Sequence, residues 1–429
     1  MKIRLLIIIT LFITLFGANL ASRAWAGEIW LYEMGTPDLG TAGAGMAALA
    51  SDASTAGRNP AGMTRLDRSQ LLTAAQGLYI DFRFDTDQSG FGGGDGGQAG
   101  GFLPAGSLHY VHRVTPDFRL GVTAGSYFGF GLDYGDNWAG RYYSTKSEFL
   151  TFGVNPAAAY RFNDWLSAGA GFSVVYADLD QEAAVNNSAV PGQAGLADGK
   201  LKMDDDDVGY GYNLGLLLTP RDGTRFGLTY RSKVDLEFKD AVSLNNIGPV
   251  LEGLLNLSGL AGSKVNIDVT IPQNVMFSAY HQLTDSWAIM GNIGWQDWSD
   301  FGKQDFTLRS STSTKATLDR DFDDTWHFAL GAQYRFAEHW LWSVGAAYNT
   351  SAVDDDDRTP DLPVDRQIRV GTGIQYDWTE AITVGAAYEY FDNGQAKIDQ
   401  AGGALQGPLK GDFDPAASHF MALNLIWRF

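Results

Sequence analysis

Read in steps of two, one stretch after another of this 429-residue chain separates into an apolar row and a polar row. From Phe226 the even positions are Phe226, Leu228, Tyr230, Val234, Leu236 and Phe238. The odd ones are Arg225, Gly227, Thr229, Arg231, Lys233, Asp235 and Glu237. Trp326, Phe328, Leu330, Ala332, Tyr334 and Phe336 alternate with His327, Ala329, Gly331, Gln333 and Arg335, and a third such stretch starts at Ile368. Successive side chains of a strand point to opposite faces, so each stretch has one greasy face and one small, polar or charged face. A water-soluble sandwich alternates too. Here, however, the apolar rows end in Trp, Tyr and Phe, and the polar rows are rich in Gly, which a crowded lumen needs and a wet surface does not. Apolar outward, polar inward and ringed by aromatics is the pattern of a transmembrane β-barrel.

The connections sharpen that reading, because short turns alternate with long loops. Short ones fall at Thr115–Asp117, Asn163–Asp164, Pro220–Gly223, Leu283–Asp285, Ala337–Glu338 and Asp377, and most lead at once into an aromatic: Phe118, Trp165, Trp287, Trp340 and Trp378. Aromatics beside one set of tight turns mark the periplasmic interface, with the long loops facing out. Counting strands between connections predicts about fourteen, over residues 67–429. The last strand, Ser418 to Phe429, alternates and ends on Phe429, which resembles the terminal signal read by the barrel-assembly machinery.

The first 26 residues read as a secretory signal peptide. Lys2 and Arg4 precede an apolar run from Leu5 to Phe16, and Ala24-Trp25-Ala26 is a small-x-small cleavage site, which makes Gly27 the first mature residue. An N-terminal membrane helix is the other reading, but the run is short and no stop-transfer pattern follows. There is no cysteine. Losing Lys2, Arg4 and Arg23 takes the bases from 31 to 28 against 50 acids, so the mature net charge is −22. That balance argues against a nucleic-acid partner, whose phosphates need a basic surface.

The run of small residues from Gly35 to Met63 has no strand pattern and cannot make a core alone. A barrel of about fourteen strands is wider than its own side chains fill, so residues 27–66 are expected in the lumen as a plug. Asn59 then caps a turn or helix that Pro60 starts.

The segment Leu31–Gly45, with Ser51-Asp52-Ala53 and Asn59-Pro60-Ala61-Gly62-Met63, resembles the N-terminal hatch of the FadL/TodX (OMPP1) family of outer-membrane hydrophobic-compound channels. The resemblance extends to Gly209–Gly215, Arg225–Ser232 and Phe429. It implies a fourteen-stranded barrel plugged by a hatch containing Gly43, Gly45, Asp52, Asn59, Pro60 and Ala61. It also implies passive uptake of long-chain fatty acids or of aromatic or aliphatic hydrocarbons, and sideways release into the membrane through an opening at a kinked strand. The mature N-terminus with Trp30 would touch ligand as the family's does.

Three groups of residues are candidates for such a route. Gly125, Gly129 and Gly131 break the alternation of the third strand, as a bulge or bend would; a flexible strand end is the alternative. Ile247, Val250, Leu251, Leu254 and Leu255 stand at helical spacing in an outer loop and form a possible greasy landing site, or a face packed on other loops. Arg231, Lys233, Arg335 and Arg369 sit on lumen rows and are candidate partners of a cargo carboxylate, or of lumen acids such as Asp235 or hatch Asp52.

Other chemistry is not supported. Gly43-Ala-Gly45-Met-Ala-Ala48 lacks the preceding strand of a dinucleotide site. His109 and His112 fall on opposite faces of one strand, and Ser418 and His419 are adjacent, so neither a shared metal nor a lipase-like pair is made. No cofactor, no metal and no enzyme activity are expected. The runs Asp204–Asp207 and Asp354–Asp357 read as a solvated acidic outer rim, with divalent-cation bridging to surface lipid as the alternative. The expected protein is a monomeric outer-membrane channel whose partners are hydrophobic small molecules and outer-membrane lipid. A general polar-solute porin is the alternative, and an adhesive barrel a third.

Overall fold

The computed structural model describes residues 36–126, 128–239, 241–257, 264–309 and 313–429. The expected leader over residues 1–26, and residues 27–35 with Trp30, lie outside the described residues.

Fourteen antiparallel strands close into a barrel. They are β1 (Gln70–Ser89), β2 (Phe102–Arg113), β3 (Phe118–Gly125, resumed at Gly129–Asp133), β4 (Lys146–Arg161), β5 (Leu166–Val185), β6 (Gly199–Arg221) and β7 (Thr224–Arg231). Then follow β8 (Asn274–Gln282), β9 (Trp287–Gln296), β10 (Thr325–Ala337), β11 (Trp340–Asn349), β12 (Gln367–Asp377), β13 (Ile382–Asp392) and β14 (Leu409–Arg428). Each pairs with its sequence neighbour, and β14 closes the ring on β1 from Gln70 opposite Arg428 to Ser89 opposite Leu409.

The greasy rows face out. Phe226, Leu228, Trp326, Phe328, Ile368 and Val370 are exposed, whereas Thr229, His327, Ala329 and Arg369 between them are buried. In water that arrangement would be unstable; in lipid it is stable, because closing the sheet leaves no free edge strand and pairs the backbone groups within the wall, one interruption at the third strand apart. Phe162, Trp165, Trp287, Trp340 and Trp378 are exposed at the short-turn end, which forms one interfacial girdle. No described helix is long and apolar enough to cross a membrane; the strands do the crossing.

The row beginning at Phe226 is not one strand, as its sequence suggests. β7 ends at Arg231, and after Ser232 and Lys233 the chain resumes as Val234–Phe238 in a separate outer sheet with Lys264–Ile271, Lys303–Arg309 and Ser313–Asp319. The bend reverses the faces: Val234, Leu236 and Phe238 are buried inward although their parity matches outward-facing Phe226 and Leu228. The first aspartate run, read as a solvated acidic rim, lies on a strand, with Asp204 and Asp206 exposed. Asp204–Asp207 belong to β6 and pair with Ala177–Asp180 of β5. The Asp207 carboxylate accepts the Glu237 N–H at 2.8 Å, and that of Asp205 accepts the Lys239 N–H at 2.5 Å. Side-chain oxygens thus satisfy backbone donors where the bent strand has left its neighbour.

Candidate functional site

Residues 36–66 carry no strand and lie inside the ring. They fold as 3₁₀ turns Pro37–Thr41 and Pro60–Arg65 around a short helix, Thr55–Arg58. Their backbone meets wall glycines on strands all round the barrel. A Cβ on Gly169 of β5 would stand 2.6 Å from the Ala61 nitrogen, and one on Gly373 of β12 would stand 3.1 Å from the Gly40 Cα. Side chains at Gly345 and Gly371 would collide with the carbonyls of Thr41 and Leu39. The glycine-rich lumen rows are therefore the surface on which this segment seats.

Polar wall residues hold it in register. Asn292 of β9 clamps one turn, accepting the Gly45 N–H at 2.7 Å and donating to the Gly43 carbonyl at 2.6 Å. Gly43 and Gly45 have φ of 69° and 78°, the left-handed region that glycine occupies without strain. Asn59 accepts the Ala61 N–H at 3.1 Å with its Oδ1, and its Nδ2 donates to the carbonyls of Ala47 at 2.5 Å and Leu216 of β6 at 3.0 Å. Pro60 takes the first position of the turn that Asn59 caps. Arg225 of β7 donates to the Ala48 and Leu49 carbonyls, both at 2.9 Å, and stacks on Tyr280. Asp52 takes no ion pair with a wall base among the described residues. It accepts the Ser54 N–H at 3.0 Å and the Ser54 hydroxyl at 2.6 Å, which starts the helix. The charge pair inside the segment is instead Asp38 with Arg58, both buried.

The wall itself is interrupted at the third strand. β2 and β3 pair only from Leu108–Ala124 to Arg113–Arg119, so Phe102–Ser107 of β2 bond to β1 alone. Past Gly125, β3 resumes at Gly129 bonded only to β4. Between the pairs Gly125–Gly153 and Gly129–Leu150 the third strand spends one residue more than β4, which is a bulge. Beyond the interruption the Asp133 N–H donates to the Ala99 carbonyl at 2.8 Å and closes the outer end. The result is a window in the hydrogen-bonded wall. Pro104 lies on its unpaired edge, where a residue without an N–H costs least.

Behind the window Phe128 is fully buried, its ring 5.8 Å from Phe149, 5.5 Å from Phe301 and 6.4 Å from Trp298. These rings belong to one apolar cluster that runs inward to Met46 and Ala47 of the lumen segment. Two small cavities lie in it and share Phe130. One of about 20 Å³ is lined by Phe149, Leu179, Phe301 and Phe306, and another of about 60 Å³ by Leu132, Trp298, Leu362 and Val364. Above them opens a wide vestibule of about 400 Å³ among the outer loops, reaching Phe306 and Met203 at its floor. The vestibule and the smaller cavity share Gln181, Met203, Gln304 and Phe306, and Phe130 of the resumed β3 lines both small cavities.

The four candidate lumen bases do not converge on it. Arg231 donates to the Gly57 carbonyl at 2.7 Å and so props the lumen segment. Lys233, expected in the lumen, is turned to the surface by the bend after Arg231 and lies between Asp235 at 3.4 Å and Asp300 at 3.3 Å. Arg335 is at the short-turn end, 3.3 Å from Asp377. Arg369 is buried, bonded to Gln367 at 2.7 Å and stacked over Phe391. The stripe Ile247–Leu255 includes a helix, Pro249–Leu257, with Val250 exposed and Ile247, Leu251 and Leu255 half-buried; the Leu254 side chain lies outside the described residues. Asn187 and Gln193 cap its start through the N–H groups of Gly248 and Val250, each at 2.7 Å. The sequence reading did not find Phe128, Trp298 and Phe301. Phe128 stands at the interruption of β3 and Trp298 and Phe301 on one short helix, Trp298–Phe301, after β9, and no spacing rule joins them. Among the described residues no three acidic or histidine side chains are placed to hold a metal.

Residues 17–429 match the family model described as outer membrane protein transport protein (OMPP1/FadL/TodX). A long-chain fatty acid transport protein of Escherichia coli O6:H1 is 28% identical over 417 residues, which cover 90% of this chain and 92% of that protein. The crystal structure of a Pseudomonas aeruginosa FadL homologue has the same fold, with a TM-score of 0.83 at 21% identity over 95% of this chain and all of the other. The toluene transporter TodX of Pseudomonas putida superposes with a TM-score of 0.63 at 18% identity, over 86% and 92% of the two chains.

Proposed function

The chain belongs to the outer membrane protein transport family (OMPP1/FadL/TodX), and on that premise we propose that it carries hydrophobic compounds passively into the outer membrane and releases them sideways. Cargo of the fatty-acid or hydrocarbon class is captured at the outer loops, where the helix Pro249–Leu257 offers Val250 and Leu251. It passes the vestibule and the apolar throat, and leaves through the window beside Phe128. Residues 36–66 act as the hatch that denies the lumen to polar solutes, and Phe429 serves as the mark for barrel assembly. A general porin needs an open aqueous bore, and the lumen segment together with the outer apolar cluster fills that space.

One observation carries the proposal: an apolar cavity that shares Met203 and Phe306 with the vestibule is lined by Phe130, on the piece of β3 that lies past the place where β3 leaves β2. Deleting Ser126 shortens the bulge and lets β3 pair one-to-one along β4. The barrel should then assemble normally while uptake of a labelled hydrocarbon falls to background. Unchanged uptake would send the cargo elsewhere.

A further inference from the structure

Resting on that uptake reading, we propose that the outer route selects uncharged hydrophobic molecules and excludes carboxylates, because an acidic vestibule opens onto an apolar throat along which every described cation is already committed. Six carboxylates line the vestibule, Glu182, Asp319, Asp321, Asp356, Asp357 and Asp361, against two bases, Lys146 and Arg320. Lys146 is held by Glu148 at 2.7 Å and Asp180 at 2.6 Å. Arg320 is held by Asp361 at 2.6 Å. Asp321, Asp356 and Asp357 have no cationic partner among the described residues.

The throat beneath offers no cation: the larger of its two cavities carries only the carboxylate Asp365, and the smaller carries no charge. The smaller is lined by aromatic and aliphatic side chains with Gln181 and Gln304. Arg231 is spent on the Gly57 carbonyl and Lys233 on surface acids, so neither waits for an anionic head group. A carboxylate would therefore enter against a field of its own sign and then lose water without gaining a partner, which is costly for a charge and not for a neutral group. An ester or hydrocarbon of the same length meets neither obstacle.

The test compares a labelled fatty acid with its own methyl ester, taken up by proteoliposomes carrying the whole protein. At low salt, about 0.01 M, where the field of the carboxylates reaches ~30 Å before it is screened, the ester should enter about tenfold faster than the carboxylate, a size typical of electrostatic bias on rates. Near 1 M salt, and in the triple variant Asp321→Asn, Asp356→Asn, Asp357→Asn, the carboxylate should gain and the ester should not. Equal or faster carboxylate uptake at low salt overturns this inference and leaves the uptake reading standing. So does a ratio that neither salt nor the variant moves. Uptake of neither molecule overturns both.

Discussion

The carbonyl oxygen of Ala47 occupies the place where a side chain on Gly227 would begin. Gly227 lies on the inward row of β7, so the approach is between wall and lumen segment, and no rotamer change relieves it. Gly227→Val should push residues 36–66 off their seat at an overpacking cost of about 1–3 kcal/mol. The β-barrel does not depend on that seat and should still show its usual heat-modifiable mobility. Conductance to small ions in planar bilayers should rise; if it stays at the parent level, this contact does not hold the lumen closed.

Asn59 is the second fastening. Replacing it with Ala leaves the Ala47 and Leu216 carbonyls and the Ala61 N–H without their partner, and each buried polar group so orphaned costs about 1–3 kcal/mol. Asn59→Ala should speed hydrogen exchange of residues 59–65 well before that of the strands. Asn59→Asp keeps the acceptor for Ala61 and should restore part of the protection.

The barrel was legible because a membrane wall is written in every second residue. The inverted alternation, the short turns with their aromatics and the terminal Phe429 each follow from one repeated physical constraint. The lumen segment was legible by a different argument, from its lack of any surface of its own to bury. What escaped was whatever depends on bends. The alternation places Val234, Leu236 and Phe238 on one face with Phe226, and the turn at Ser232–Lys233 puts them on the opposite one. The rings of Phe128, Phe149, Trp298 and Phe301 come from the interruption of β3, from mid-β4 and from a short helix after β9, and they meet only in the folded barrel. Lys233 was misplaced by the turn at Ser232–Lys233. Asp205 and Asp207 of the acidic rim also act as backbone acceptors, a role invisible without knowing that a neighbouring strand departs.

The outer loops should loosen in acid at one identifiable contact. Burial pushes the Asp361 carboxyl up, but the Arg320 guanidinium and the Thr359 hydroxyl against it hold it below its ordinary value near 3.8. A depressed carboxylate contributes stability that is present above its unfolded value and lost as pH falls through the folded one. Exchange protection around Arg320 and Asp361 should therefore hold from neutral pH down to about 4 and fall below that. Arg320→Gln should shift the loss to higher pH; an unchanged profile would separate the ion pair from loop order.

Capture at the outer helix can be separated from passage. Val250→Asp with Leu251→Asp places two charges on the stripe without touching the capping bonds from Asn187 and Gln193. Initial binding of a fluorescent hydrocarbon should weaken by about tenfold, equivalent to ~1.4 kcal/mol, with barrel assembly intact. Full retention of binding would make the stripe a loop-packing face only.

Phe128 gives the sharpest discrimination between a sideways exit and any other. Its ring is fully buried at the interruption of β3 and packed on Phe149 and Phe301. Phe128→Ala should cost about 3–5 kcal/mol in the outer cluster and leave an apolar cavity beside the window. Such a cavity stays dry and admits small aromatic molecules, so benzene should restore part of the lost thermal stability. If cargo leaves there, the variant should pass bulky hydrocarbons faster than the parent despite being less stable, and benzene should compete with them. If cargo leaves by another path, stability falls in the same way but transport and competition do not change.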